Sequence, residues 1–286
     1  MSVSEAEPTR WLGAPLPGRE LMLRIASALV LAPLAVAIAY VGGWPFVIFW
    51  GLAAAGVLWE WTSLVAQADR RSLLMAGFAP LVLAIALAGT DRLLAAVIVI
   101  AMGTLLSAAL APASRRLWIA SGVPYAGAIG LAPVVLRSDP EQGFVAIVFL
   151  YAIVWSTDIV AYFVGRAFGG PKLMPTVSPK KTWSGAVGGT IAAVAVAIAT
   201  AKFAGQAGLF AIALVAVALS IVAQAGDLFE SSLKRRFGAK DSGHLIPGHG
   251  GLMDRLDGFV AAAVLAALIG LLRGGIETPG RGLMVW

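Results

Sequence analysis

Apolar stretches of roughly 20 residues, the length that crosses a bilayer as a helix, recur along this chain almost without interruption. They are read at Leu21–Val41, Pro45–Val65, Ser72–Gly89, Leu93–Leu110, Leu117–Leu136, Gly143–Val164, Ser184–Ala204, Gly208–Phe229 and Gly258–Leu272. In hydrocarbon each backbone N–H and C=O must find its partner within the segment, so such stretches fold as helices. The expected fold is an all-α polytopic integral membrane protein with about nine transmembrane helices. Eight or ten stay open, because the last stretch is short and Gly122, Pro124 and Pro133 make the fifth irregular. Composition closes the soluble alternatives. Only 13% of residues are charged and 59% are apolar, against about 25% charged in soluble domains. So few polar side chains cannot cover a globule, and a disordered or fibrous chain is excluded as well.

The chain divides into a polar cytoplasmic segment 1–20, amino-terminal membrane helices over 21–136, a carboxyl-terminal half over 143–272 with the chemistry, and a tail 273–286. The first segment lacks a signal-peptide cleavage pattern, so Leu21–Val41 is expected to stay as the first span.

Basic residues follow loop parity. Sixteen of the 21 Lys and Arg fall on the amino-terminal side of the spans, and Arg92, Arg137, Lys202, Arg273 and Arg281 make up the other five. Basic residues mark the cytoplasmic face, which puts the amino terminus inside and, for nine spans, the carboxyl terminus outside. No nucleic-acid partner is expected, because the positive charge forms no single patch. Trp44, Trp61, Trp118 and Trp183 lie near span ends, as an interfacial aromatic belt would place them. Glu60 reads as an interfacial or snorkelling group. There is no cysteine, so thiol nucleophiles and Cys-based zinc sites are excluded.

Polar residues concentrate after Trp155, in four clusters. Asp158 and Tyr162 share a helix face within a span, where a carboxylate is costly and usually meets a partner or a wet cavity. The run Gly169–Gly185 carries Ser178, Lys180, Lys181 and Thr182 just before a helix start. Ammonium groups beside the free N–H groups of a helix suit phosphate, although a basic loop obeying the positive-inside rule would look the same. Asp227, Glu230, Ser231 and Lys234 form one stripe where the eighth helix leaves the membrane, alternatively a solvated end with i,i+4 ion pairs. Lys240 to Asp257 supplies a Gly/Pro-rich segment with His244 and His249, then Asp254 and Asp257 one helical turn apart. Five of the fifteen acids fall between Asp227 and Asp257. Carboxylates from two helix ends beside Lys, Arg and His suit a hard cation that handles phosphate, Mg²⁺ in particular.

The run Ser231-x-Leu233-Lys234-Arg235-x4-Lys240-Asp241-x-Gly243-x2-Ile246-Pro247-x-His249-Gly250-Gly251-Leu252-x-Asp254-Arg255-Leu256-Asp257 resembles the signature of the phosphatidate cytidylyltransferases (CDP-diacylglycerol synthases). The segments around Asp158–Gly165 and Ser178–Trp183 resemble the same family, and the resemblance covers about residues 155–260. It departs at Ser184, where the family pattern suggests Glu, so Ser184 receives no role.

The resemblance implies CTP and phosphatidate as substrates, CDP-diacylglycerol and pyrophosphate as products, and Mg²⁺ as cofactor with a monovalent cation such as K⁺ beside it. It also implies a homodimer in a bacterial-type inner membrane, with a polar cavity facing the cytoplasm. On that reading Asp227 and Asp254 are the first metal ligands, with Asp257 and Glu230 next. Lys180, Lys181, Thr182, Ser178, Arg235, Lys240, Arg255 and Asp158 would meet substrate, Lys234 would act at the catalytic centre, and His249 would donate to phosphate or orient Asp254. The competing readings are a secondary transporter of an anion, a CDP-alcohol phosphotransferase and a CTP-dependent lipid-alcohol kinase. A transporter predicts inverted repeats and acids at the bilayer midplane, whereas here the acids crowd at one end of the spans.

Overall fold

The computed structural model of the chain describes residues 30–66, 70–243 and 250–286. Its helices are α1 (Val30–Val41), α2 (Gly43–Val65), α3 (Arg70–Ala88), α4 (Leu93–Leu110), α5 (Arg116–Arg137), α6 (Gly143–Phe168), α7 (Trp183–Phe203), α8 (Leu209–Arg236), α9 (Met253–Gly274) and the short α10 (Pro279–Met284). Eight of these are long and apolar enough to cross a membrane. The expected first span is helical over its described part, Val30–Val41, and its residues 21–29 lie outside the described residues. The all-α polytopic expectation holds, apart from one antiparallel hairpin between α6 and α7. Its strands β1 (Lys172–Met174) and β2 (Ser178–Thr182) pair Lys172 with Thr182 and Met174 with Ser178.

Two spans run further than their apolar cores suggest. Helix α8 has 28 residues, about 42 Å at 1.5 Å per residue, against a hydrocarbon thickness of about 30 Å. Its last turns, which carry Glu230 to Arg236, therefore project beyond the apolar layer. Helix α9 begins at Met253 rather than Gly258, so the expected short ninth span has 22 residues. Asp254 and Asp257 belong to its first turns.

Helix α5 is the most enclosed span, with 72% of its apolar window buried, while α4 and α7 are peripheral at 22%. The helix continues through both Pro124 and Pro133, so the expected irregularity does not interrupt it. Gly122 leaves room for the indole of Trp61, whose Nε1 would stand 2.9 Å from an added Cβ. That indole is buried, and its Nε1 donates to the carbonyl of Trp118 at 2.7 Å. Trp61 is therefore a wedge between α2 and α5 and no member of an interfacial belt. Trp44 and Trp183 remain exposed at 50% and 56%, as a belt requires.

Helix association in lipid relies on close packing of small residues, since lipid tails offer no hydrophobic gain. The buried face of α7 is a four-residue repeat of such residues: Gly185, Gly189, Ala193, Ala197 and Ala201. The repeat lets α7 lie directly on α6. A Cβ at Gly185 would stand 2.6 Å from the carbonyl oxygen of Ala161, and one at Gly189 would stand 2.6 Å from that of Thr157. A second close crossing joins α8 to α9, where a Cβ on Gly226 would stand 2.6 Å from the carbonyl oxygen of Asp257 and 2.7 Å from Cβ of Ala261. These crossings hold the polar helix ends in register. Away from them, the carboxyl-terminal residues fold back: Asp139 accepts from the amide of Arg281 at 2.7 Å, and Arg273 stacks 3.4 Å over Trp286.

Candidate active site

The carboxyl end of α6, the hairpin, the start of α7, the projecting end of α8 and the start of α9 enclose a cavity of about 700 Å³. Asp158, Lys180, Lys181, Thr182, Asp227, Asp254, Arg255 and Asp257 all line it. These residues come from four separated stretches of chain, and the fold brings them to one place. Tyr162, paired with Asp158 on one helix face from the sequence, lines the same cavity, as do Arg166 and Lys172, which received no role from sequence. Arg166 donates to the Tyr162 hydroxyl at 3.1 Å, one helical turn away. The i,i+4 spacing would have shown that pair.

The charges sort into two groups. In the first, Lys181 pairs with Asp227, and Asp158, Asp227 and Asp257 lie within electrostatic range of one another. Ser231 donates to Asp227 at 3.4 Å. In the second, Lys234 lies between Oε2 of Glu230 at 2.6 Å and Oδ1 of Asp254 at 2.5 Å. Glu230 is 1% exposed, so this group is sunk into the protein. Asp254 also accepts from the amides of Ser242 at 3.1 Å and Gly251 at 2.9 Å. Both of its oxygens therefore already hold donors. Gly250 sits at φ +80°, and a Cβ there would meet Oδ2 of Asp254 at 2.9 Å. Glycine at that position answers both constraints.

Thr182 caps α7, its side-chain oxygen accepting from the amide of Gly185 at 3.2 Å, as Ser and Thr do at helix starts. Ser184, where the family pattern suggests a carboxylate, bonds Thr182 at 3.0 Å and donates to the carbonyl of Gly169. It latches the hairpin to the end of α6. Ser178, Arg235 and Lys240 are not among the cavity-lining residues. Arg235 donates to the carbonyl of Ala239 at 3.2 Å, and Lys240 is exposed. His249 lies outside the described residues.

Glu60 is the residue that sequence reading misjudged. It is 1% exposed and no snorkelling group. Its oxygens accept from the Ser242 hydroxyl at 2.9 Å and from the amides of Leu252 and Met253, each at 2.8 Å. Its only sequence signal was a carboxylate at the end of an apolar span, which does not name partners almost 200 positions away.

Among the described residues, no group of three or more His, Cys, Asp or Glu side chains converges as a closed metal site. The donor set nevertheless suits Mg²⁺, which takes one or two carboxylates and completes its octahedron with water and substrate phosphates. Asp227 and Asp257 come from helices that touch at Gly226, and Asp158 lines the same cavity within electrostatic range of both.

A helical membrane protein with a cavity that sets carboxylates beside lysines and arginines belongs to the class that handles phosphorylated substrates at a membrane face. The chain belongs to the cytidylyltransferase family, which it matches over residues 22–272. It is 44% identical over 260 residues to the phosphatidate cytidylyltransferase of Brucella suis biovar 1 (strain 1330), covering 91% of this chain and 96% of that protein. The phosphatidate cytidylyltransferase of Brucella abortus biovar 1 (strain 9-941) is 45% identical over 88% of this chain and 94% of its own. That of Haemophilus influenzae (strain ATCC 51907 / DSM 11121 / KW20 / Rd) is 40% identical over 49% of this chain and 51% of its own.

Proposed function

We propose that this protein transfers the cytidylyl group of CTP to phosphatidate, giving CDP-diacylglycerol and pyrophosphate for phospholipid biosynthesis. One observation carries the reading: a single cavity at the helix ends combines Asp158, Asp227 and Asp257 with Lys180, Lys181 and Arg255. That mixture suits two phosphorylated substrates that repel one another.

The phosphate oxygen of phosphatidate attacks the α-phosphorus of CTP. The bond from that phosphorus to the bridging oxygen breaks, and pyrophosphate leaves with the electron pair. No protein nucleophile is needed, so the work is positioning and charge stabilisation. Lys180, Lys181, Arg255 and Lys172 supply positive charge to the triphosphate and the lipid headgroup. Asp227 and Asp257, with Asp158 and Asp254 beside them, are the residues that would hold Mg²⁺. The ion would supply neutralisation of the leaving pyrophosphate. The resemblance to the family also implies a second, monovalent cation such as K⁺ in the same site. The same reading places the protein as a homodimer in a bacterial-type inner membrane, with the cavity on the cytoplasmic face. The bias of basic residues toward that side supports this orientation.

Purified protein incubated with CTP, Mg²⁺ and phosphatidate is expected to release pyrophosphate and form CDP-diacylglycerol. A transporter would release none, and a lipid-alcohol kinase would make CDP instead; either result overturns the proposal. In the same assay Lys181→Ala is expected to raise KM for CTP or phosphatidate while the protein still inserts and purifies. An unchanged KM for both substrates would remove Lys181 from substrate binding.

A further inference from the structure

Glu60 lies on α2, in the half of the chain without signature motifs, yet among the described residues its buried carboxylate is bonded to Ser242 and to the start of α9. Oε2 accepts from the Ser242 hydroxyl and the Met253 amide, and Oε1 accepts from the Leu252 amide. The first amides of a helix have no partner within it, so Glu60 acts as an N-cap supplied from a distant helix, and its negative charge faces the positive end of the α9 dipole. Asp254 takes the neighbouring Gly251 amide. The two carboxylates thus share the start of α9, and Ser242 is held by both, through its hydroxyl and its amide. Two glycines of the signature fit closely around this carboxylate. A Cβ on Gly243 would stand 2.8 Å from Oε1, and one on Gly251 would stand 2.6 Å from Oε2.

We propose that Glu60 is a positioning residue for cytidylyl transfer: its buried carboxylate clamps Ser242 to the first turn of α9 and so sets where Asp254 and Asp257 face the cavity. Glu60 is absent from the cavity lining, so it acts through the groups it holds. Through it, the amino-terminal helices become part of the catalytic apparatus. The inference rests on the function proposed above.

Glu60→Gln tests this with little change of volume. A carboxamide accepts through one atom only, whereas the native contacts use both oxygens, so either rotamer breaks at least one of them. Loss of a partner that orients a metal ligand typically costs about 10–100-fold in activity or metal affinity. The expected result is a kcat lower by about tenfold or more, a raised Mg²⁺ concentration for half-activation, and a phosphatidate KM close to wild type. Amide hydrogen exchange should quicken in peptides covering Leu252 and Met253. Ser242→Ala removes one clamp contact and should shift the same quantities less; it stands in if Glu60→Gln does not fold. Faster exchange with wild-type kcat and Mg²⁺ dependence would make Glu60 a helix cap alone and overturn the inference. Wild-type protein that makes no CDP-diacylglycerol would instead sink the functional reading, and this inference with it.

Discussion

Replacing Asp227 with Asn is expected to reduce CDP-diacylglycerol synthesis by about 10²–10³-fold, the usual effect of removing one preorganised electrostatic group from a reaction centre. The substitution keeps the side chain's size and removes its charge. Asp227 stands where α8 touches α9 through Gly226, so the packing that places it does not depend on its charge. It does pair with Lys181, and the rival explanation is that the carboxylate serves only to tether that lysine. The two roles give different kinetics. A tether would make Asp227→Asn mimic Lys181→Ala, with raised KM and largely preserved kcat. A role at the reacting phosphates lowers kcat even at saturating substrate. Steady-state assays on both variants, purified side by side, decide between them, and a wild-type kcat in Asp227→Asn would remove this residue from the centre.

Replacing Lys234 with Met should damage the protein itself. The Lys234 ammonium is 12% exposed, and the carboxylates it separates, Glu230 and Asp254, are 1% and 10% exposed. Removing one member of a buried ion group leaves the others without compensation, at a cost of about 3–5 kcal/mol. The outcome to expect is a marked fall in thermal midpoint in detergent, together with loss of activity. Lys234→Met combined with Glu230→Gln should recover part of the stability, because one of the two uncompensated charges is gone. The double variant should stay inactive, since Asp254 at the cavity still lacks its lysine. If Lys234→Met is as stable as wild type, the ion group contributes nothing to the fold.

The membrane class, the helix positions and the family were legible in the chain because each rests on local or contiguous information. A span announces itself by length and apolarity, and the signature from Ser231 to Asp257 is nearly unbroken in sequence. The stripe Gly185, Gly189, Ala193, Ala197, Ala201 was equally visible, but in an Ala/Val/Leu-rich run its meaning depends on which neighbour it faces. The structure supplies that neighbour in α6, whose carbonyls at Thr157 and Ala161 pack where no Cβ could stand. Helix boundaries moved because charged turns such as Met253–Asp257 continue a helix beyond the apolar layer, and hydropathy cannot see them.

What sequence alone determined is that this chain crosses a membrane repeatedly and carries a phosphate-handling set of acids and bases in its second half. What only the tertiary structure decided is which of those groups answer which. Asp227 faces Lys181, while Asp254 and Glu230 share Lys234. Glu60, far away in the chain, caps the helix that bears Asp254 and Asp257. The physical reason is that pairing of charges in a low-dielectric site depends on distances of a few ångströms between helices, and those distances are set by which small residues let two backbones meet.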